Sequence, residues 1–220
     1  MLQLGIIWQS REIKSNEYLH FDPICIVEFM KNILVSDVFG KTPALIALGH
    51  AIKADVIVDP YDGKNMNFKD EVQAYSYFTD NIGLEGYLEK LSKVIKDYSC
   101  ECILVGFSVG ASVIWKLSEF TSVHLTERIK LAVCYYGSQI RHLTKLTPMF
   151  EVKLVLPKME PHFDVLALQN ILTHKEKVKT SQVDYLHGFM NTHSDNFNRV
   201  GYKEHLELLR QDIKLSSLST

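Results

Sequence analysis

The sequence has 220 residues, 46% hydrophobic and 23% charged, and 24 basic against 26 acidic side chains give a formal net charge of −2. That length can bury a core without disulfide or metal staples. The near-neutral balance excludes a polybasic nucleic-acid binder or membrane-surface anchor, because there is no basic excess to release phosphate counterions or to seek an anionic leaflet. With 10% aromatics and no long polar tract, the chain is not of the disordered class.

Met1 to Trp8 is apolar but short, and it runs straight into Arg11, Glu12 and Lys14, so it reads as a strand rather than a signal peptide. Asn32 to Val38 and Ala54 to Asp59 are compact β-rich runs. Thr42 to Lys53 between them carries Leu45, Leu48 and Ile52 at helical spacing. Asp70 to Tyr98 is a long helical region interrupted near Asn81-Ile82-Gly83. Cys102 to Phe107 is a third buried run, followed by a helix over Val109 to Phe120. Ile129 to Tyr136 is a fourth run and Val152 to Pro157 a fifth. A helix from about Phe163 to His174 precedes a sixth strand at Gln182 to Leu186, and the C-terminal stretch from about Tyr202 to Leu215 is helical. Continuous apolar strands alternating with helices predict a mostly parallel sheet covered on both faces, an α/β fold. No linker-like stretch or repeat divides the chain, so one domain over residues 1–220 is expected.

The longest uncharged run, Cys102 to Trp115, has 14 residues and two glycines, too few for a spanning helix. Cys25, Cys100, Cys102 and Cys134 form no CxxC pair. Cys100 and Cys102 alternate along a strand and read as buried thiols in a reducing compartment, so a cytoplasmic location is expected.

In parallel sheets the working residues sit just past the carboxyl ends of strands. Those positions hold Asp37, Asp59, Ser108, Tyr136-Gly137, Glu160 and His187. Gly106-Phe107-Ser108-Val109-Gly110 is G-x-S-x-G between the most apolar strand and a helix. In that context a serine occupies a sharp turn above the sheet edge, with the N–H of Val109 at a helix start able to receive an oxyanion. A serine nucleophile requires a base oriented by an acid, and the elbow predicts both downstream in the order Ser, acid, His. His187 follows the last strand, and Glu160 and Asp164 both follow the fifth. His50 and His205 fall in helical patterns, His124 and His142 in polar loops and His174 at a helix end, all expected at the surface or capping helices. His162 precedes the last strand, which disfavours it as the base. Gly40-Lys41-Thr42 lacks the leading glycine of a P-loop, Val35 standing in its place. His187 and His193 have no HExxH or Cys/His framework, so neither metal nor cofactor is expected.

Taken together, these residues resemble the dienelactone hydrolase family of the α/β-hydrolase superfamily. Val35-Ser36-Asp37-Val38-Phe39-Gly40 is similar to its strand-end motif of an acidic residue followed by Ile/Val-Phe-Gly. Val58-Asp59-Pro60-Tyr61 is similar to its Pro-Asp-Leu-Tyr segment, Tyr135-Tyr136-Gly137 to its Tyr-Gly, and His187-Gly188-Phe189 to the surroundings of its base. The resemblance runs from about residue 32 to the C-terminus and leaves residues 1–30 as an extension with edge strands outside it. It implies an α/β-hydrolase fold with a minimal cap, Ser108 as nucleophile, His187 as base, Glu160 as acid, and the amides of Val38 and Val109 as oxyanion donors. Asp164, which has the family's usual residue type, is the alternative acid; otherwise it opens the next helix as a cap. Dienelactone hydrolases proper use a cysteine where this chain has Ser108. Asp37 corresponds to the family glutamate that tethers the resting thiol; here it either assists Ser108 or anchors the backbone. The family's substrate-carboxylate arginines fall on Asn191 and on Gly63 or Lys64, so dienelactone itself would be poorly held.

The expected activity is serine hydrolysis of a small uncharged ester or thioester through an acyl-enzyme. The expected partner is that small molecule alone, with no nucleic acid and no membrane, in a monomer or homodimer. A non-catalytic binding protein of the same fold and an acyltransferase using the same residues are the alternatives. The short connection Ser138 to Pro148 predicts an open pocket, roofed by Asp62 to Gly83, with Tyr75, Tyr77 and Phe78 packing helices rather than lining it.

Overall fold

The structure is a computed structural model and describes residues 30–119 and 123–218. The readings placed on Met1 to Trp8, Cys25 and Phe120 lie outside the described residues. Six strands form one sheet: β1 Lys31–Val35, β2 Val56–Val58, β3 Cys102–Phe107, β4 Ile129–Tyr135, β5 Val152–Leu156 and β6 Val178–Gln182. The order is β2-β1-β3-β4-β5-β6 and every pairing is parallel. The helices are α1 Pro43–Ala51, α2 Glu71–Asn81, α3 Gly83–Lys96, α4 Val109–Leu117, α5 Val123–Thr126, α6 Val165–Leu172 and α7 Arg199–Leu218. This is the α/β-hydrolase fold expected from the sequence.

The two-residue period of the strands divides the core. Ile33 and Val35 of β1, Cys102 and Leu104 of β3, and Ala132 and Cys134 of β4 face α2, α3, α4 and α6. Leu34, Ile103, Val105, Leu131 and Val133 face α1 and α7 on the other side. Strands buried on both faces explain the continuous apolar runs.

Strand order reverses direction at β1 and β3, so a crevice opens beyond their carboxyl ends. Register aligns Val35 with Gly106, and Phe107 with Tyr135, so the residues following these strands meet at one edge. Tyr87 of α3 is fully buried and reaches the same edge, its hydroxyl lying 2.9 Å from the Val58 carbonyl and 3.1 Å from the Ser36 carbonyl. Between β4 and β5 the chain makes only a short 3-10 turn, Ser138–His142, and the cap is accordingly minimal. Trp115 is buried and donates to the Leu143 carbonyl at 2.9 Å, fastening that connection to α4.

Several boundaries differ from expectation for identifiable reasons. β1 stops at Val35 instead of Val38, because Asp37 turns back to accept from the Phe39 amide at 2.9 Å. α1 begins after Thr42, whose hydroxyl accepts from the Leu45 amide. The sixth strand lies at Val178–Gln182, upstream of the expected Gln182 to Leu186. It is an edge strand with most side chains facing water, so its sequence is polar. The more apolar Val183 and Tyr185 pack on the α7 side as loop residues. Cys100 precedes β3 rather than lying on it; it is buried, as are Cys102 and Cys134. Burial pushes the Cys102 thiol up to about 12, which leaves it inert. Among the described residues no helix is long and apolar enough to cross a membrane, and no group of three or more His, Cys, Asp or Glu is arranged to hold a metal.

Candidate active site

Ser108 stands between β3 and α4 with φ 52° and ψ −113°, a conformation that non-glycine residues rarely adopt. The surroundings hold it there. Its amide donates to the Tyr135 carbonyl at 3.0 Å, and its carbonyl accepts from the amide and the hydroxyl of Ser112, both at 3.0 Å. A Cβ on Gly110 would lie 2.3 Å from the Ser36 carbonyl oxygen, and one on Gly106 would lie 2.8 Å from the Ala111 nitrogen. Both glycines therefore let α4 cross close over β1 and β3.

His187 Nε2 lies 3.0 Å from Ser108 Oγ, and His187 Nδ1 lies 2.7 Å from Glu160 Oε1. A carboxylate only accepts, so Nδ1 carries the proton and Nε2 accepts from the serine hydroxyl. Of the two acids past β5, Glu160 is the one brought to the histidine. Asp164 is the N-cap of α6, accepting from the Leu166 and Ala167 amides at 2.9 and 3.1 Å. The loop carrying Glu160 is tied to the loop leading to His187, the Lys158 amide donating to the Tyr185 carbonyl at 2.7 Å. Asn196 donates to the His187 carbonyl at 2.9 Å. Gly188 has φ +84°, and a Cβ there would meet Ser194 Oγ at 2.3 Å, so the turn after the histidine requires glycine. Phe189 is fully buried against Tyr135, Tyr136, Tyr185 and His205 and anchors this loop.

Burial alone would lower the pKa of His187. The bond to Glu160, with the negative charges of Glu160, Glu71 and Asp37, outweighs that and raises it above the ordinary 6.5. Asp37 is buried in the turn after β1, accepting from the Phe39 amide and from Asn191 Nδ2. Its two side-chain oxygens are thus engaged with the backbone and with Asn191. Its burial raises its pKa to about 6.

A cleft of about 780 Å³ opens over Ser108, Glu160 and His187. One wall is α2, through Glu71, Tyr75 and Asp80, and the other holds Gln139, Arg141 and Phe163. Tyr75 therefore lines the cleft instead of serving only as packing, and its hydroxyl accepts from Gln139 Nε2 at 2.7 Å across it. Tyr77 and Phe78 pack as expected, on Tyr61 and Phe68 and on Tyr87. His162 is exposed on the cleft wall. His205 is buried against Tyr135 and Phe189, contrary to the surface role expected of it, because α7 turns that position onto the sheet. Asp59 is a loop anchor, accepting from the Tyr61 and Gly63 amides at 2.8 and 2.9 Å. Glu71 Oε1 also lies 3.8 Å from His187 Nε2; nothing in the sequence marks it, because an acid in a first helical turn reads as helix stabilisation.

YczH of Bacillus subtilis (strain 168), an uncharacterized protein, is 33% identical over 186 residues, 81% of this chain and 89% of its own length. The chain belongs to the YczH family. No family model matches it. Among solved structures, the dienelactone hydrolase-like promiscuous phosphotriesterase P91 from metagenomic libraries superposes with a TM-score of 0.57 at 11% identity, covering 83% of this chain and 86% of that one. Est1E from Butyrivibrio proteoclasticus superposes at 0.56 and 10% identity, covering 88% of this chain and 90% of that one. An esterase from Pyrobaculum calidifontis superposes at 0.54 and 12% identity over 85% and 76%. At such identities the likeness is one of fold, and it gives this YczH-family chain the α/β-hydrolase architecture.

Proposed function

We propose that the chain is a serine hydrolase of the dienelactone hydrolase-like type, cleaving a small ester or thioester through an acyl-enzyme. The observation that carries this reading is the hydrogen-bonded series Ser108, His187, Glu160 at the floor of an open cleft. The Pyrobaculum calidifontis fold neighbour, described as an esterase, supports it.

In the proposed cycle Ser108 Oγ attacks the substrate carbonyl carbon while its proton passes to His187 Nε2. Glu160 holds the ring through Nδ1 and stabilises the imidazolium. The carbonyl oxygen becomes an oxyanion received by the Val109 amide, at the start of α4, and by the Val38 amide. The Asp37 carbonyl accepts from Ser36 Oγ and from the Gly40 amide, so the Val38 N–H of the same trans peptide points away from those donors. Donors of this kind contribute roughly 3–4 kcal/mol each to the transition state. The tetrahedral intermediate collapses, breaking the bond to the leaving oxygen or sulfur, which takes the proton from Nε2. Water then attacks the acyl-enzyme, giving its proton to Nε2, and Ser108 leaves with that proton restored.

Asn191, at the position the resemblance gives to a substrate-carboxylate arginine, donates its amide to Asp37 instead. The test is release of p-nitrophenol from short-chain p-nitrophenyl esters. Wild-type turnover is expected, with losses of about 10³-fold or more in Ser108→Ala and in His187→Ala. Equal rates in wild type and both variants would exclude the mechanism.

A further inference from the structure

Glu71 reaches the reaction centre from a direction that helix capping does not explain. At the start of α2 the capping is done by its neighbours, with Asp70 accepting from the Gln73 amide at 2.8 Å and Gln73 Oε1 accepting from the Lys69 amide at 2.8 Å. The Glu71 carboxylate lies instead over the site, 3.8 Å from His187 Nε2, with its side chain 45% exposed to the cleft. Nε2 is also the nitrogen 3.0 Å from Ser108 Oγ, and in the proposed cycle it hands a proton to the leaving group. Glu71 therefore stands beside the place of the leaving alcohol.

The other charges near this point have the same sign. Asp37 and Glu160 both act on His187 with Glu71. The cleft's guanidinium, Arg141, lies on the opposite wall, where it donates to the Ser138 carbonyl at 2.7 Å and sits 5.3 Å from the centre of the Phe163 ring. A carboxylate fixed next to the leaving group attracts a cation there and repels an anion. With its side chain 45% exposed, the carboxylate is partly screened by water, so the attraction weakens with salt.

We infer that Glu71 is a specificity-determining residue that selects esters whose leaving alcohol carries a cationic nitrogen. This rests on the hydrolase reading and narrows the small ester to one with a positively charged alcohol part. Neutral esters would be slower substrates and carboxylate-bearing alcohols the slowest.

Two acetate esters of the same shape isolate the charge: choline acetate, with a quaternary ammonium, and 3,3-dimethylbutyl acetate, with a tert-butyl group in its place. Acetic acid release by the full chain at pH 8 and low salt gives kcat/KM for each. The expected ratio of cationic to neutral ester is roughly tenfold or more in the wild type, decreasing with added salt. It should fall toward one in Glu71→Gln and be partly retained in Glu71→Asp. A merely structural role would move both esters together and leave the ratio intact. A wild-type ratio of one or less, or a ratio unchanged in Glu71→Gln, overturns the inference. Covalent labelling of Ser108 by a fluorophosphonate separates the two claims. Labelling with a flat ratio removes the charge selection and leaves the hydrolase, whereas no labelling and no turnover of either ester removes both.

Discussion

Asn191 donates its side-chain amide to Asp37 Oδ2 at 2.5 Å, joining residues 154 positions apart in the chain. The bond links the turn after β1 to the loop that carries His187. Asp37 thus has the geometry of an anchor between two loops, the second of the two roles expected for it.

The anchor carries a pH signature. The native state raises the pKa of Asp37 from 3.8 to about 6, chiefly by burial. Stability from this group is therefore fully present below about pH 4 and is lost as pH rises through about 6. Asp37→Asn, which cannot ionise, should gain stability relative to wild type between pH 4 and pH 7, by about 1–3 kcal/mol. Urea unfolding of both proteins across that range measures the difference, and parallel curves would contradict it.

Glu160 and Asp164 separate cleanly by variant. Glu160→Gln can present a donor to His187 Nδ1 and favour the wrong tautomer, and kcat should fall by about 10² to 10⁴. Asp164→Asn keeps a capping side chain and should leave turnover within about twofold, while Asp164→Ala should cost about 1 kcal/mol of stability. Steady-state rates and thermal melts on the three proteins check both halves.

The base must be neutral to accept the serine proton. Because Glu160, Glu71 and Asp37 together raise His187 above 6.5, the acid limb of kcat/KM should lie above that value. Glu71→Gln removes one of the three charges and should move the limb to lower pH. A full pH–rate profile on a neutral ester reads the shift; a limb that stays in place would remove Glu71 from the histidine's surroundings.

Gly110 has no room for a methyl group, its Cβ position lying 2.3 and 2.6 Å from the Ser36 and Val35 carbonyl oxygens. Gly110→Ala should force α4 away from β1 and destabilise by about 3 kcal/mol or more. Gly86→Ala inside α3, where the nearest atom is a side-chain carbon at 3.6 Å, serves as the control and should be neutral or stabilising by up to about 1 kcal/mol.

The sheet was legible because buried parallel strands write themselves as unbroken apolar runs, and β3 matches its expected limits of Cys102 and Phe107. β6 was displaced because an edge strand needs only backbone pairing, and its Lys179, Ser181 and Gln182 face water. The serine turn was legible because its glycines answer a close approach of backbone that no other residue permits. His187 and Glu160 were legible through their place after strands. Glu71, and the bond of Asn191 to Asp37, were not, because each depends on which loops meet across the crevice. A first-turn acid and a loop amide carry no local mark of such a meeting. His205 was misplaced for a similar reason: the periodicity of α7 fixes which residues share a face, but not which end of the sheet lies beneath them.

The proposed mechanism requires Ser108 to be an activated nucleophile. A fluorophosphonate probe followed by intact-mass measurement and peptide mapping tests it directly. One adduct per chain on Ser108, absent in Ser108→Ala and strongly slowed in His187→Ala, is the predicted result. An unmodified wild-type chain, under conditions that fully label a control serine hydrolase, would contradict it.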